Sequence, residues 1–204
     1  MTAIICGAMG HSRDEKAKSH DRIVEIASER IREEGIDGPG VAGVMKAAGL
    51  THGGFYKHFE SREELIDEAT EHAFQDVRHH MAAATEGASD PLAAFVDGYL
   101  STEHRDGVES SCGVVALGTD APRASARVRA AYTDQVRYYL AELERLIGGP
   151  DADTGTRKQA VVTLSTLVGS LLVARAVDDP ALSDELLRDV RVTLRSRAPG
   201  PDGR

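Results

Sequence analysis

The chain has no Trp, and Phe and Tyr bring its aromatic share to only 4% of 204 residues. Any core must be built from Ala, Leu, Val and Ile. β-branched runs are few, so these residues point to an all-α protein. Two cysteines, Cys6 and Cys112, are too few for a disulfide framework and suit a reducing cytoplasm. No stretch of 18 apolar residues is free of charge, which argues against a transmembrane helix. Residues 1–10 lack a basic start and a long apolar stretch, which argues against a signal peptide. Also missing are G-x-G-x-x-G, the P-loop, H-E-x-x-H and G-x-S-x-G, and Thr154 to Lys158 does not complete a phosphate loop. No cofactor, metal or catalytic set is therefore expected.

A net charge of −9 excludes a protein that grips nucleic acid through a global basic field. Residues 11–60 are different. Arg13, Lys16, Lys18, Arg22, Arg30, Arg32, Lys46 and Lys57 nearly balance the acidic groups there, with four His alongside. A nucleic-acid contact would be a local surface on this part of the chain.

The pattern predicts about nine helices. Ser12-x-x-Glu15 reads as a capping box opening a helix over 13–34, with Ile23, Ile26, Ala27 and Ile31 as its apolar stripe and Gly35 as its stop. A second capping box, Ser61-x-x-Glu64, opens a helix to about residue 84. Further helices are expected over 91–104, 110–118, 125–147, 154–177 and 183–196. The domain reading is a disordered leader over 1–12, a reading head over 13–60, a connecting helix over 61–85, a ligand-binding and dimerisation body over 86–197, and a disordered tail over 198–204. Met9 competes with Met1 as the start of translation, since the first helix follows it directly.

Residues 41–65 carry the most information. Val41 to Ala48 forms one short helix, Gly49 breaks it, and Thr51 opens a second through Phe59. Two brief helices joined by a Gly-containing turn make a helix-turn-helix, whose second helix enters the major groove with its N-terminal residues nearest the bases. Val44-Met45, Ala47-Ala48-Gly49-Leu50-Thr51, Gly54-Phe55-Tyr56 and Phe59-Glu60-Ser61-Arg62-Glu63-Glu64-Leu65 together resemble the TetR family of bacterial transcriptional regulators. The resemblance is sharp over residues 16–70 and diffuse beyond. It implies an N-terminal helix-turn-helix, a C-terminal helical ligand-binding domain, and a homodimer on a palindromic operator. The family usually has Lys where Arg62 stands, and Thr or Ser where Gly40 stands, so a phosphate contact at residue 40 is in doubt.

Within the motif, Tyr56 and Lys57 are natural phosphate donors, and Thr51 can cap the second helix and reach phosphate. His52, Gly53 and Gly54 are the base-reading candidates, with His58 following on the same helix. Lys46 and Arg62 could bracket the backbone. The alternative makes Tyr56 and Phe59 core aromatics and Lys57 a solvated charge. Arg13, Lys16 and Lys18 suit a minor-groove arm or plain solvated surface equally.

Downstream, Phe95, Tyr99, Cys112 and Tyr132 are candidates to line a pocket for a mostly apolar small molecule. Cys112 at a helix start could be a nucleophilic sensor thiol or simply a small buried residue. His72, Asp76 and His79 or His80 share a helix side, but no fourth ligand accompanies them, so a solvated face is the better reading. The helix over 154–177 is apolar nearly all round. Leu164, Ser165, Val168, Gly169 and Leu172 form its candidate dimer face, against the alternative of a central helix in a monomeric core. The expected function is a cytoplasmic, ligand-responsive repressor that binds double-stranded DNA as a homodimer and needs no membrane. Activation instead of repression is compatible with the same residues. The rival reading is a helical enzyme or small-molecule carrier whose N-terminal unit is structural.

Overall fold

Ile23, Ala27 and Ile31 recur at helical spacing and are fully buried, as the apolar stripe requires. They belong to α1 (Cys6–Glu34) in a computed structural model that describes residues 6–149 and 152–196, the side chains of 6–13 and of His80 lying outside that description. The helix begins at Cys6 and runs through Ser12, so the leader expected over 1–12 is helical from residue 6; residues 1–5 lie outside the described ones. Once a helix is nucleated, each added residue gains a hydrogen bond, and no proline intervenes before Ser12 to stop it. Lys16 and Lys18 therefore stand on an exposed helix surface and not on an arm.

Gly35 ends α1 with φ +79°, a left-handed conformation that a residue with a Cβ adopts only at a cost. α2 (Val41–Ala47) follows and is stopped by Gly49, also left-handed at φ +75°. The next segment, His52–Lys57, is a single 3₁₀ helix and not an α-helix. Gly53 and Gly54 lack helix propensity, and a tight three-residue turn suits so short a run. Phe55 and Phe59 stack at 5.4 Å between centroids and are buried beside Val44 and Met45. They fix this segment against α1 and α2.

α3 (Arg62–Thr85) is capped as expected: the Ser61 hydroxyl accepts from the Glu64 N–H at 3.1 Å. Its first half packs on α1 through Leu65 and Ala69, and its second half carries Phe74 and Met81 into the C-terminal body. α3 is thus shared by both halves of the molecule.

A single helix was expected over 91–104, but the chain breaks after α4 (Pro91–Tyr99) and restarts as α5 (Thr102–Asp106). The Ser101 hydroxyl accepts from the His104 N–H at 3.0 Å, a new N-cap that competes with continuing the old helix. The helix expected over 110–118 is reduced to a 3₁₀ turn at Val108–Ser110 and the four-residue α6 (Gly113–Ala116). α7 (Ala126–Gly148) and α8 (Thr154–Ala176) match the pattern closely, capped by Ser125 and by a reciprocal Asp153–Thr156 pair. α9 (Pro180–Ser196) starts earlier than expected, because Pro180 suits the first turn and the Asp179 carboxylate accepts from the Ala181 N–H at 2.9 Å. The expected tail over 198–204 lies outside the described residues.

α8 lies between α7 and α9, burying Leu164, Leu167 and Leu171. Leu164 therefore belongs to the chain's own core and not to the outer face assigned from sequence. Ser165 and Leu172 are exposed, and Val168 and Gly169 half-exposed, on the other side.

Candidate nucleic-acid interface and effector cleft

The 3₁₀ segment presents two kinds of residue. Phe55 points inward, while Thr51, His52, Gly53, Tyr56 and Lys57 are exposed, with Gly54 half-buried. Tyr56 is 73% exposed, the most open of the large apolar side chains among the described residues, and is held edge-on to Phe55 with 5.3 Å between centroids. The Thr51 hydroxyl makes no capping bond. Lys46 is exposed on α2. A Cβ added at Gly53 would meet nothing within 4 Å, and its φ is not left-handed, so neither packing nor backbone requires glycine there. Gly53→Ala is accordingly expected to hold or slightly raise the melting temperature, since alanine favours helix by up to ~1 kcal/mol. If a base edge or phosphate occupies that space, operator affinity should fall about tenfold, and an unchanged affinity would remove Gly53 from the docking surface.

Two residues assigned to DNA from sequence sit elsewhere. Arg62 is half-buried, its Nε–H donating to the Pro39 carbonyl at 3.2 Å and its Nη2 to the Ile36 carbonyl at 2.7 Å. It braces the turn between α1 and α2. His58 is half-buried with its ring 6.1 Å from that of His20. Burial, then the charges of His20, Lys16 and Lys57, push its pKa below the ordinary imidazole value. A neutral ring against α1 is a packing group. For Arg62 the signal was the length of its side chain with turn carbonyls in reach, and for His58 the ring of His20, neither of which spacing alone displays.

In the body, a cleft of about 400 Å³ opens between α3, α4, α5 and α7. Phe95 and Tyr99, two of the pocket candidates, line it; so does Tyr139, which was not among them. Val128, Gln135, Tyr139 and Leu143 are all buried at helical spacing on α7, and that stripe could have identified it. The unforeseen polar lining residues are Ser101, Glu103, His104 and Ser110. Tyr132 does not line the cleft: its hydroxyl donates to the Val114 carbonyl at 3.0 Å, and its ring meets Phe74.

Cys112 lies behind the cleft, fully buried. The hydroxyl of Tyr99 donates to its Sγ at 3.2 Å, and that of Tyr139 lies 3.4 Å away. Burial, reinforced by the thiol, lifts both phenols well above their ordinary pKa, so they remain neutral donors. This setting matches the packing role for Cys112 better than an accessible sensor thiol. His104 completes the floor. Its Nδ1 is 2.6 Å from the Tyr99 carbonyl, and its Nε2 accepts the Cys112 N–H at 3.1 Å. Those two bonds select the neutral tautomer with the proton on Nδ1. Burial holds its pKa below the ordinary value, Arg175 adding to the effect. His72 and Asp76, considered above as metal ligands, lie together, with His72 Nδ1 3.3 Å from the Asp76 carboxylate; the His80 side chain lies outside the described residues.

The head and the cleft wall touch directly. The buried Arg32 of α1 donates Nε–H to the Glu109 carbonyl in the 108–110 turn, next to the cleft residue Ser110. The Ile36 N–H donates to the Asp120 carboxylate at 3.1 Å.

Residues 23–69, which span α1 to the first turns of α3, match the model of bacterial regulatory proteins of the tetR family. This segment is a TetR-family helix-turn-helix. An uncharacterized HTH-type transcriptional regulator of Mycobacterium tuberculosis is 29% identical over 187 residues, 88% of this chain and 95% of that protein. The HTH-type transcriptional repressor DhaR of Mycobacterium sp. is 29% identical over 79 residues, 39% of this chain and 40% of its own. Among solved TetR-fold structures, a regulator from Chloroflexus aurantiacus superposes with a TM-score of 0.77 at 20% identity, covering 90% of this chain and 95% of that one. The reduced form of Escherichia coli NemR gives 0.76 at 18%, covering 90% and 99%. The TetR-family match thus ends within α3, while the fold likeness extends through the body.

Proposed function

We propose that the protein is a cytoplasmic repressor that binds a palindromic operator as a homodimer and releases it when a small molecule enters the cleft. The observation that carries this reading is the 73% exposed Tyr56 beside Lys57, on a short helix whose other face is anchored by Phe55. A large aromatic left in water on a rigid element is costly unless a partner covers it. A phenol and an ammonium at a helix-turn-helix fit the phosphate backbone. Repression is favoured over activation by the name of DhaR as a repressor. The enzyme or carrier alternative has nothing comparable, since a purely structural N-terminal unit would bury Tyr56.

The response to ligand rests on the joint between α1 and the cleft wall. An occupant touching Ser110 displaces the turn whose Glu109 carbonyl holds Arg32, and α1 carries the shift to the reading head. The ligand must bind the released conformation more tightly, and operator DNA must bind the other.

Gel shift on the DNA upstream of the protein's own gene tests the reading. Wild-type binding should weaken steeply with salt. Lys57→Ala should weaken it about equally on all sequences and flatten the slope of log affinity against log salt by about one unit. Unchanged affinity and slope in the folded variant would take Lys57 off the contact surface.

A further inference from the structure

We infer that the cleft is built for an organic cation, an apolar body carrying a single ammonium group, with Glu103 at the rim as its counter-ion and the rings of Phe95, Tyr99 and Tyr139 as its seat. This rests on the proposed ligand response and assigns the chemistry of its ligand.

The first observation is the sign of the lining. Glu103 is exposed at the cleft rim, and its carboxylate accepts from the Thr102 hydroxyl at 3.3 Å. Among the described residues it has no ion pair. Hydrogen bonding from its own N–H, then from Thr102, holds its pKa below the usual carboxylate value, so it is charged at neutral pH.

The second observation is that, among the described side chains, the cations nearest the cleft are held elsewhere, Arg32 by the Glu109 carbonyl. Arg105 is spent on Asp106 and Asp184, at 2.7 Å each, and on Ser183. Arg175 donates to the carbonyls of Arg105 and His104 and to the Ser111 hydroxyl, behind the floor. Arg78 donates to Gln135 and lies over the Tyr138 ring at 4.8 Å. His104 lines the cleft but is held in its neutral form by the two hydrogen bonds described above. Among the described side chains, a carboxylate-bearing ligand would meet Glu103 and no free positive partner.

The third is the seat. Phe95, Tyr99 and Tyr139 pack with centroids 5.7–6.5 Å apart, and Val77 and Met81 add an aliphatic wall. Aromatic faces attract cations, and one such contact multiplies affinity roughly twofold to thirtyfold. A second cavity, of about 370 Å³ between α4, α7, α8 and α9, carries Lys158 and would prefer the opposite charge.

The test is calorimetric titration of the full chain with 4-phenylbutylamine, 4-phenylbutanol and 4-phenylbutyrate, which share one apolar body and differ in charge. The amine should bind about tenfold or more tighter than the carboxylate, with the alcohol between them. Glu103→Gln should bring the amine to within about twofold of the alcohol. Because Glu103 is exposed, the substitution should leave the melting curve close to that of wild type. A preference for the carboxylate, an amine preference that survives Glu103→Gln, or binding by none of the three overturns the inference. Operator binding without ligand is measured separately. If it is present while the amine preference is absent, only the ligand class fails; if it is absent, the regulatory reading fails with it.

Discussion

Gly169→Trp is expected to yield a folded protein that sediments as a monomer and binds operator about a hundredfold or more weaker than wild type. A Cβ at Gly169 meets nothing within 4 Å, so an indole there enters space that the chain itself leaves open. The surrounding face is apolar and unshielded. Val161, Val162, Leu172 and Val173 on α8 are exposed, and Val192 on α9 is 61% exposed. α8 is apolar along most of its length, yet much of that apolar surface is not buried within the chain. By length and composition alone the helix could cross a membrane, but it is packed between α7 and α9, which suits a helix completed by a second copy. The magnitude follows from avidity: joining two reading heads raises binding by about 10²–10⁴ over one. Far-UV circular dichroism should retain the helical signal. A variant that remains dimeric and binds operator normally would place the interface elsewhere.

Arg32→Ala should have the next largest effect, on stability and on signalling together. Arg32 is 5% exposed, its Nε–H is bound to the Glu109 carbonyl, and the charges of Asp76, Glu29 and Glu109 offset the burial that depresses its pKa. Truncation removes a hydrogen bond from a charged donor, about 1.5–3 kcal/mol, together with the packing of its stem. For a chain of this size that lowers the melting temperature by about 5–10 °C. The variant should still bind operator at permissive temperature, while added ligand should no longer release it. A melting temperature within a degree of wild type would show that Arg32 contributes nothing at the joint, and normal release would place the coupling in other contacts.

The reading head was largely legible in the sequence, for local reasons. Gly35 and Gly49 stop helices because their φ is positive, Ser61 caps within three residues, and Phe55 and Phe59 share a face at one-turn spacing. Each is decided by a few neighbouring residues. Arg62 and His58 were misplaced because their partners, the Ile36 and Pro39 carbonyls and the His20 ring, come from another segment. The break at Ser101 was missed because a continuous helix and a re-capped one share the same apolar pattern. A hydroxyl decides between them. Tyr132 and Tyr139 stand two turns apart on α7, so both face inward; only the position of α4 along that helix determines which one meets the cleft. Leu164 was placed on the outer surface because α8 is apolar on all sides, and periodicity cannot orient such a helix.

The break between α4 and α5 also has a bearing on how receptors of this shape can diversify. In a straight helix, residues 99 and 104 would project roughly 140° apart. The turn at Ser101 instead sets the Tyr99 and His104 rings 4.9 Å apart at the bottom of the cleft. The polar part of the recess, Ser101, Glu103, His104 and Ser110, therefore comes from the short stretch from Ser101 to Cys112, which lies outside the DNA-facing segment and the exposed face of α8. Substitutions of the lining residues in that stretch, with the backbone of Glu109 left in place to hold Arg32, could reshape what the protein senses while leaving intact what it reads and how it assembles. Selection could then assign a new chemical signal to an old operator in few steps.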